Sequence, residues 1–140
     1  MLRYAKLLSA AIFLALFVTV GVAGATTRTF RLTLRGLDAV PRGDPGDSAS
    51  AAITINTGNH TVCWRFARLK GIGDFTHPKI GNAPKGKRGP IVLLLGKRFK
   101  WKGCVIAAAR TLTAIRRQPT SYYIVLTNQV HPDGAVRAQF

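Results

Sequence analysis

Apolar and polar residues alternate along the early part of the chain, and this alternation restricts that part to β-sheet. Over residues 27–37, every second residue from Phe30 to Leu34 is apolar, with Arg or Thr between them. A period of two collects the apolar side chains on one face of a strand, whereas an amphipathic helix needs a period of 3.6. The pattern returns over residues 48–56 and 61–67. We therefore predict three half-buried strands in this region.

Short turn segments separate these strands. Residues 40–47 hold two prolines and two glycines with Asp between them, which is typical of turns. The four residues 57–60, Thr-Gly-Asn-His, form a polar turn that would join the second and third strands into a hairpin. The chain therefore returns on itself after each short strand.

The later part of the chain continues this organisation. Further strands are predicted over residues 75–80, 91–95, 122–127 and 135–140. The run 91–95 is apolar throughout, as in a fully buried strand. Helical spacing of apolar residues occurs over 106–118, which ends before Pro119. We predict an all-β fold, a Greek-key β-sandwich or barrel of about seven short strands with one short helix near 106–118.

The first 25 residues have a different character. Arg3 and Lys6 precede an apolar core over residues 7–22, and Ala-Gly-Ala follows at 23–25. This pattern predicts a cleaved secretory signal peptide over 1–25 and a single domain over 26–140. The alternative is an uncleaved membrane anchor, because residues 7–25 are just long enough to cross a bilayer. Both interpretations place the domain outside the cytoplasm, and secretion is the favoured one.

Two cysteines, Cys63 and Cys104, bear on the same question. Thiols oxidise outside the cytoplasm, so an even count in a small domain predicts a disulfide. Two separate buried thiols are the alternative. A metal site is disfavoured, because two lone cysteines without a CxxC spacing supply too few ligands.

Charge is the most unusual property of the composition. The net charge is +16, and 14 of the 21 Lys and Arg residues lie between Arg65 and Arg117, with Asp74 the single acidic residue there. Strand geometry over 97–102 would turn Phe99 and Trp101 toward the core and the alternate cations outward. The candidate binding residues of this basic face are Lys85, Lys87, Arg88, Lys97, Arg98, Lys100 and Lys102. The alternative is that these cations serve solubility alone.

Catalytic and metal-binding patterns are missing from the sequence. His60, His77 and His131 stand at no metal-ligand spacing, and no GxSxG, HExxH or phosphate-binding glycine loop occurs. Most of the aspartates stand in turn segments, where Asp commonly bonds its own backbone. We therefore predict no enzyme activity, no metal and no cofactor. The residual enzyme hypothesis rests on His77 with Asp74 nearby.

Several segments resemble the CHRD domain, a module named from chordin that also occurs in secreted microbial proteins. Residues 120–140, TSYYIVLTNQVHPDGAVRAQF, resemble its closing strand and PxGAxRGQL-like hairpin. The matching positions are Tyr122, Tyr123, Pro132, Gly134, Ala135, Arg137 and Gln139. Residues 43–56 resemble its GDP turn and strand, 61–66 its TVCW strand, and 101–105 its SGCV step. The resemblance covers about residues 38–140 in collinear order.

The departures from the family pattern concern its polar residues. His77 matches the first histidine of the family's HIH step, but Lys79 replaces the second, and Thr127 replaces the histidine of its NVHT strand. Arg65 stands where aspartate is common. This chain therefore looks like a divergent member with reversed charge.

These observations predict a secreted non-catalytic module that binds an anionic polysaccharide, another envelope polymer or a membrane surface through its basic face. The resemblance to chordin implies the alternative, a protein–protein interaction module of the envelope with no polyanion specificity. Nucleic acid ranks third, because no recognition motif occurs and the compartment is unsuitable.

Overall fold

The strands form one antiparallel sheet of eight in the computed structural model, which describes residues 26–71 and 73–140. The strands are β1 (Thr27–Arg35), β2 (Ser48–Asn56), β3 (Thr61–Lys70), β4 (Phe75–Asn82), β5 (Ile91–Leu94), β6 (Lys102–Ile106), β7 (Tyr122–Asn128) and β8 (Val136–Gln139). One helix, α1 (Ala109–Arg117), and two 3-10 turns, Gly36–Asp38 and Pro119–Ser121, complete the described elements. The all-β prediction with one short helix is confirmed.

The sheet runs in the order β5-β4-β7-β8-β1-β2-β3-β6 and curls into a half-barrel. Three connections, from β3 to β4, from β5 to β6 and from β6 to β7, link strands that lie in opposite halves of the strand order. β5 and β6 are therefore the two edges. No described helix is both long enough and apolar enough to span a bilayer. The predicted signal segment lies outside the described residues.

The inner face of the curled sheet encloses the core. Ile53 of β2 stands between Phe30 on β1 and Trp64 on β3 in the strand register, and all three are buried. Helix α1 covers the same core with Leu112 and Ile115, which are fully buried. The alternation read from the sequence therefore identified the buried face of the first three strands correctly.

The β5 and β6 regions differ from the sequence-based expectation. Residues 91–95 were expected to be fully buried, but Ile91 is 45% and Leu94 52% exposed. The reason is that β5 pairs only with β4 and lies at the sheet edge. Residues 102–106 form a strand paired with β3, so the helix begins at Ala109 and not at Ile106.

The connection between β5 and β6 also corrects a prediction. Residues 97–101 are irregular and do not alternate as a strand. They bond to β3 through Trp64, whose Nε1 donates to the Lys100 carbonyl at 2.9 Å. Phe99 packs against the core, whereas Trp101 is 54% exposed. The expectation that both rings turn inward was therefore wrong for Trp101.

Candidate binding surface

The described carboxylates are confined to connections, whereas cations occur on strands, on the helix and in connections. All five aspartates lie in connections between strands, and β1, β2, β3 and β6 contain no acidic residue. Most Lys and Arg side chains of the described residues are exposed. The ion pairs Arg88–Asp133, at 2.9 Å, and His131–Asp44, at 3.1 Å, lie in connections too. Together, these four strands therefore carry cations and no carboxylate of their own on their outer face.

Four of the predicted cations lie together. Lys97, Arg98, Lys100 and Lys102 line a shallow depression of about 410 Å³ beside Trp64. The irregular path of residues 97–101, with Gly96 at a φ of +89°, brings these side chains to one place although they do not alternate. A positive φ favours glycine, which has no Cβ. The structure thus groups the second half of the predicted basic face.

The other three predicted cations lie elsewhere. Lys85, Lys87 and Arg88 belong to the segment 83–90, which covers the outer face of β7 and β8. Arg137 of β8 donates to the carbonyl oxygens of Lys87 and Pro84 and so holds this segment against β8. Arg88 is paired with Asp133, which offsets its charge. The predicted face consists of two separate clusters.

A wider depression of about 920 Å³ contains the residual catalytic candidates. His77 and Asp74 line it together with Lys97, Arg98 and the exposed Trp101. The sequence analysis expected His77 and Asp74 to be near each other, and both line this depression. The other side chains that line this depression include two cations and two aromatic rings.

The remaining titratable residues of the turns are engaged locally. His131 contacts the Asp44 carboxylate, and His60 occupies a turn with a φ of +58°. Burial raises the pKa of Asp47, the charge of Asp44 adds to this rise, and His131 partly offsets it. Within the described part of the chain, no three His, Cys, Asp or Glu residues are grouped so as to hold a metal ion.

The predicted disulfide is present. Cys63 on β3 and Cys104 on β6 stand directly opposite each other in the register and are bonded. The bond lies on the outer face, since Val62 and Val105, the neighbouring pair, turn toward the core. A disulfide of this kind indicates an oxidising, extracytoplasmic environment.

The sequence analysis included Lys102 but not Arg31 and Arg65 among the candidate binding residues. Arg31 on β1, Arg65 on β3 and Lys102 on β6 fall in one row across the strands, with Ala52 of β2 between the two arginines. Alternation alone placed Arg31 and Arg65 outward. Their common row depends on the register between strands, which the sequence pattern does not give.

Comparison with known proteins places the chain in a family. The model of the CHRD domain matches residues 30–140, which include all eight strands apart from the first residues of β1. No curated protein and no solved structure matches the chain. The match spans the sheet, the disulfide and the closing hairpin that the sequence analysis compared with this family. The chain belongs to the CHRD domain family.

Proposed function

We propose that this chain is an exported CHRD module that binds anionic polymers of the cell envelope or the extracellular space and catalyses no reaction. The observation that carries the proposal is that the strands and the connections 83–90 and 95–101 carry cations and no aspartate, whereas all five aspartates lie in other connections. Because few carboxylates lie near the exposed cations, their field is largely uncompensated. Such a field attracts a polyanion over a distance of about 10 Å at moderate salt.

The connection between β5 and β6 supports a direct contact as well as long-range attraction. Lys97 and Arg98 line the wider depression with Trp101, whose ring is half exposed. A cation can pair with an acidic group of the polymer, while the ring offers a flat apolar surface to the adjoining unit. Lys85 and Lys87 would add a second, separate contact.

The arrangement of carboxylates supports the non-catalytic part of the proposal. General acid–base chemistry at a substrate needs groups that converge on one cleft. Asp44 pairs with His131 and Asp133 with Arg88, while Asp47 is buried. These three groups hold the connections, and Asp74, which shares a depression with His77, lies there among cations and aromatic rings.

Salt-gradient elution from a sulfated polysaccharide column tests the proposed function. We expect the purified protein to elute above physiological ionic strength, because many exposed cations give a high affinity at low salt, which then weakens steeply as salt is added. The variant with Lys85, Lys87, Lys97 and Lys100 all changed to Ala should elute at clearly lower salt. All four side chains are exposed, so circular dichroism should show an unchanged fold.

The control is a quadruple variant with the same net charge, in which Arg28, Lys79, Arg110 and Arg117 become Gln. Lower retention of the first variant than of this control would support a localised site. Elution of the wild-type protein at low salt, unchanged by the lysine substitutions, would contradict polyanion binding.

A second candidate function is protein–protein interaction, which the edge strand β5 favours. Ile91, Val92 and Leu94 are exposed there, and one side of the strand has unpaired backbone groups. Such an edge can accept a strand from a partner. Binding to an envelope protein that persists in high salt and is lost in Leu94→Lys would favour this candidate over the first.

A further inference from the structure

A shallow groove runs along the outer face of β2, and its floor is made of small residues. Ser48, Ser50, Ala52 and Thr54 alternate with the buried residues of the strand and turn outward. Four outward positions in succession carry no side chain larger than threonine. Two neighbouring depressions, of about 340 Å³ and 520 Å³, share Ala52 and Arg65. We call this feature the β2 groove.

Cations stand on both sides of the β2 groove. On the β1 side, Arg31 lies opposite Ala52 and Arg35 opposite Ser48. On the β3 side, Arg65 lies opposite Ala52 and Lys70 opposite Ser48. Each pair of cations is therefore separated by one small residue. Lys102 extends the central row beyond Arg65 onto β6.

A backbone irregularity adds a further cation. The register between β2 and β3 shifts between Ser48 and Ser50, and Arg68 within this bulge has a φ of +54°. A left-handed conformation costs a non-glycine residue about 1 kcal/mol or more, and bulges commonly re-aim a side chain. Here Arg68 lines the groove together with Arg31 and Arg65.

The guanidinium groups of the groove are available to a ligand. Among the described residues, no carboxylate lies within ion-pair distance of Arg31, Arg65 or Arg68. Arginine binds carboxylate and sulfate oxygens through two parallel N–H donors, and it stays charged at all physiological pH values. The groove is therefore suited to a ligand that carries acidic groups at intervals.

We propose that the β2 groove binds a linear acidic polysaccharide, with its chain along the small residues and its acidic groups paired with the arginines on both sides. This inference rests on the proposed function and assigns it a site and a ligand class. The floor from Ser48 to Thr54 is about 20 Å long, and the strands on either side are about 10 Å apart. An extended chain of sugar rings fits such a narrow track, whereas a flat membrane would contact only the ridges.

The test measures the affinity of the protein for dextran sulfate and for polygalacturonate, which carry sulfate and carboxylate groups respectively. Arg31→Gln combined with Arg65→Gln should weaken binding about tenfold, since each exposed charge-assisted contact contributes a factor of roughly three. The control, Arg110→Gln with Arg117→Gln on helix α1, removes the same charge elsewhere and should change the affinity less than about twofold.

A second variant changes the floor and leaves every cation in place. Ala52→Glu sets a carboxylate between Arg31 and Arg65, so the fold should be as stable as the wild type while binding falls. Ala52→Gln has nearly the same size without the charge. It should bind more tightly than Ala52→Glu, which separates competition for the arginines from steric blocking.

The outcomes distinguish the groove from the broader proposal. One outcome overturns the groove and leaves polyanion binding intact. In that case, binding survives in Arg31→Gln with Arg65→Gln and in Ala52→Glu, but it is lost in Lys97→Ala with Lys100→Ala. Failure of the wild type to bind either polysaccharide overturns both. Groove-dependent binding to phosphatidylglycerol vesicles without binding to the polysaccharides overturns the assigned ligand class.

Discussion

The guanidinium group of Arg137 lies over the ring of Tyr123, 3.7 Å from the ring centroid. Arg137 is only 3% exposed, and its N–H groups donate to the carbonyl oxygens of Lys87 and Pro84 and to the side chain of Gln139. Burial lowers the pKa of Arg137, and the nearby Tyr123 and Asp38 work in the opposite direction. A residue of the family's closing hairpin thus holds a loop against the sheet.

Replacing Arg137 by Met should destabilise the protein by about 1–3 kcal/mol, because the partly buried carbonyl oxygens of Lys87 and Pro84 lose the Arg137 donors and the Pro84 oxygen keeps just the Lys87 N–H. Arg137→Lys should lose most of the same stability, since one ammonium group cannot reproduce the planar fork. Urea unfolding measures both changes.

Arg35→Met is the matched control, because Arg35 stands opposite Arg137 in the strand register but is exposed. It should change the free energy of unfolding by less than about 0.5 kcal/mol. Equal losses in Arg35→Met and Arg137→Met would contradict the structural role of Arg137.

The comparison of Arg137 with Arg31 shows what the sequence could predict. The alternation of β1 to β3 identified the outward and inward residues, because a strand buried on one face must repeat with a period of two. Arg137 also alternates outward, yet it is buried under the segment 83–90. When a loop distant in sequence covers a strand residue, the alternation of apolar and polar residues in that strand does not change. Its burial therefore cannot be predicted from the pattern.

The sequence pattern also could not predict that β5 lies at the edge of the sheet. A run of five apolar residues, such as 91–95, has the same pattern in a strand paired on both sides and in a strand paired on one. The row Arg31, Ala52, Arg65 required the register of three strands, which is set by the hairpin turn and the packing of the inner face. The β2 groove therefore became visible only in the folded chain, whereas Lys97, Arg98, Lys100 and Lys102 were candidates from the sequence.

Gly81 should tolerate no side chain. A Cβ there would lie 2.2 Å from the ring of Tyr123, which is held by Arg137 above it and by a hydrogen bond from its hydroxyl to the Gly89 carbonyl at 3.1 Å. Gly81→Ala should therefore cost about 2–3 kcal/mol of stability through overpacking. Thermal unfolding followed by circular dichroism measures the loss.

Gly46→Ala provides the control for a general effect of removing glycine. A Cβ at Gly46 meets no atom within 4 Å, so this variant should unfold at nearly the wild-type temperature. An unchanged unfolding temperature in Gly81→Ala would mean that Tyr123 is free to move.

Loss of the disulfide should destabilise β6 more than the other strands. This strand pairs only with β3, and Cys63–Cys104 bonds the two strands across 41 residues of sequence. Changing both cysteines to Ala should cost roughly 4 kcal/mol on the chain-entropy estimate. In hydrogen exchange, the amides of β6 should lose protection before those of the interior strand β2, which is paired on both sides.

Treatment of the wild-type protein with a reductant should reproduce the double variant, and the same treatment of the variant should have no effect. Uniform loss of protection across the sheet, with β6 no faster than β2, would contradict a local role for the bond.

Asp47 should make stability depend on pH. Its pKa is raised in the folded state, first by burial and then by Asp44, so the folded protein binds the Asp47 proton more tightly than the unfolded chain does. The associated stability is fully present below the unfolded pKa of about 3.9 and is lost as the pH rises through the higher folded value. Asp47→Asn cannot titrate and should lack this loss.

Urea unfolding of the wild type and of Asp47→Asn from pH 3 to pH 7 tests the sign. The variant should gain stability relative to the wild type as the pH rises, because the wild type alone must bury a carboxylate beside Gly71. Asp44→Asn should reduce this difference without abolishing it, since burial is the larger cause of the raised pKa. A difference that instead grows toward low pH would show that the ionised Asp47 stabilises the fold.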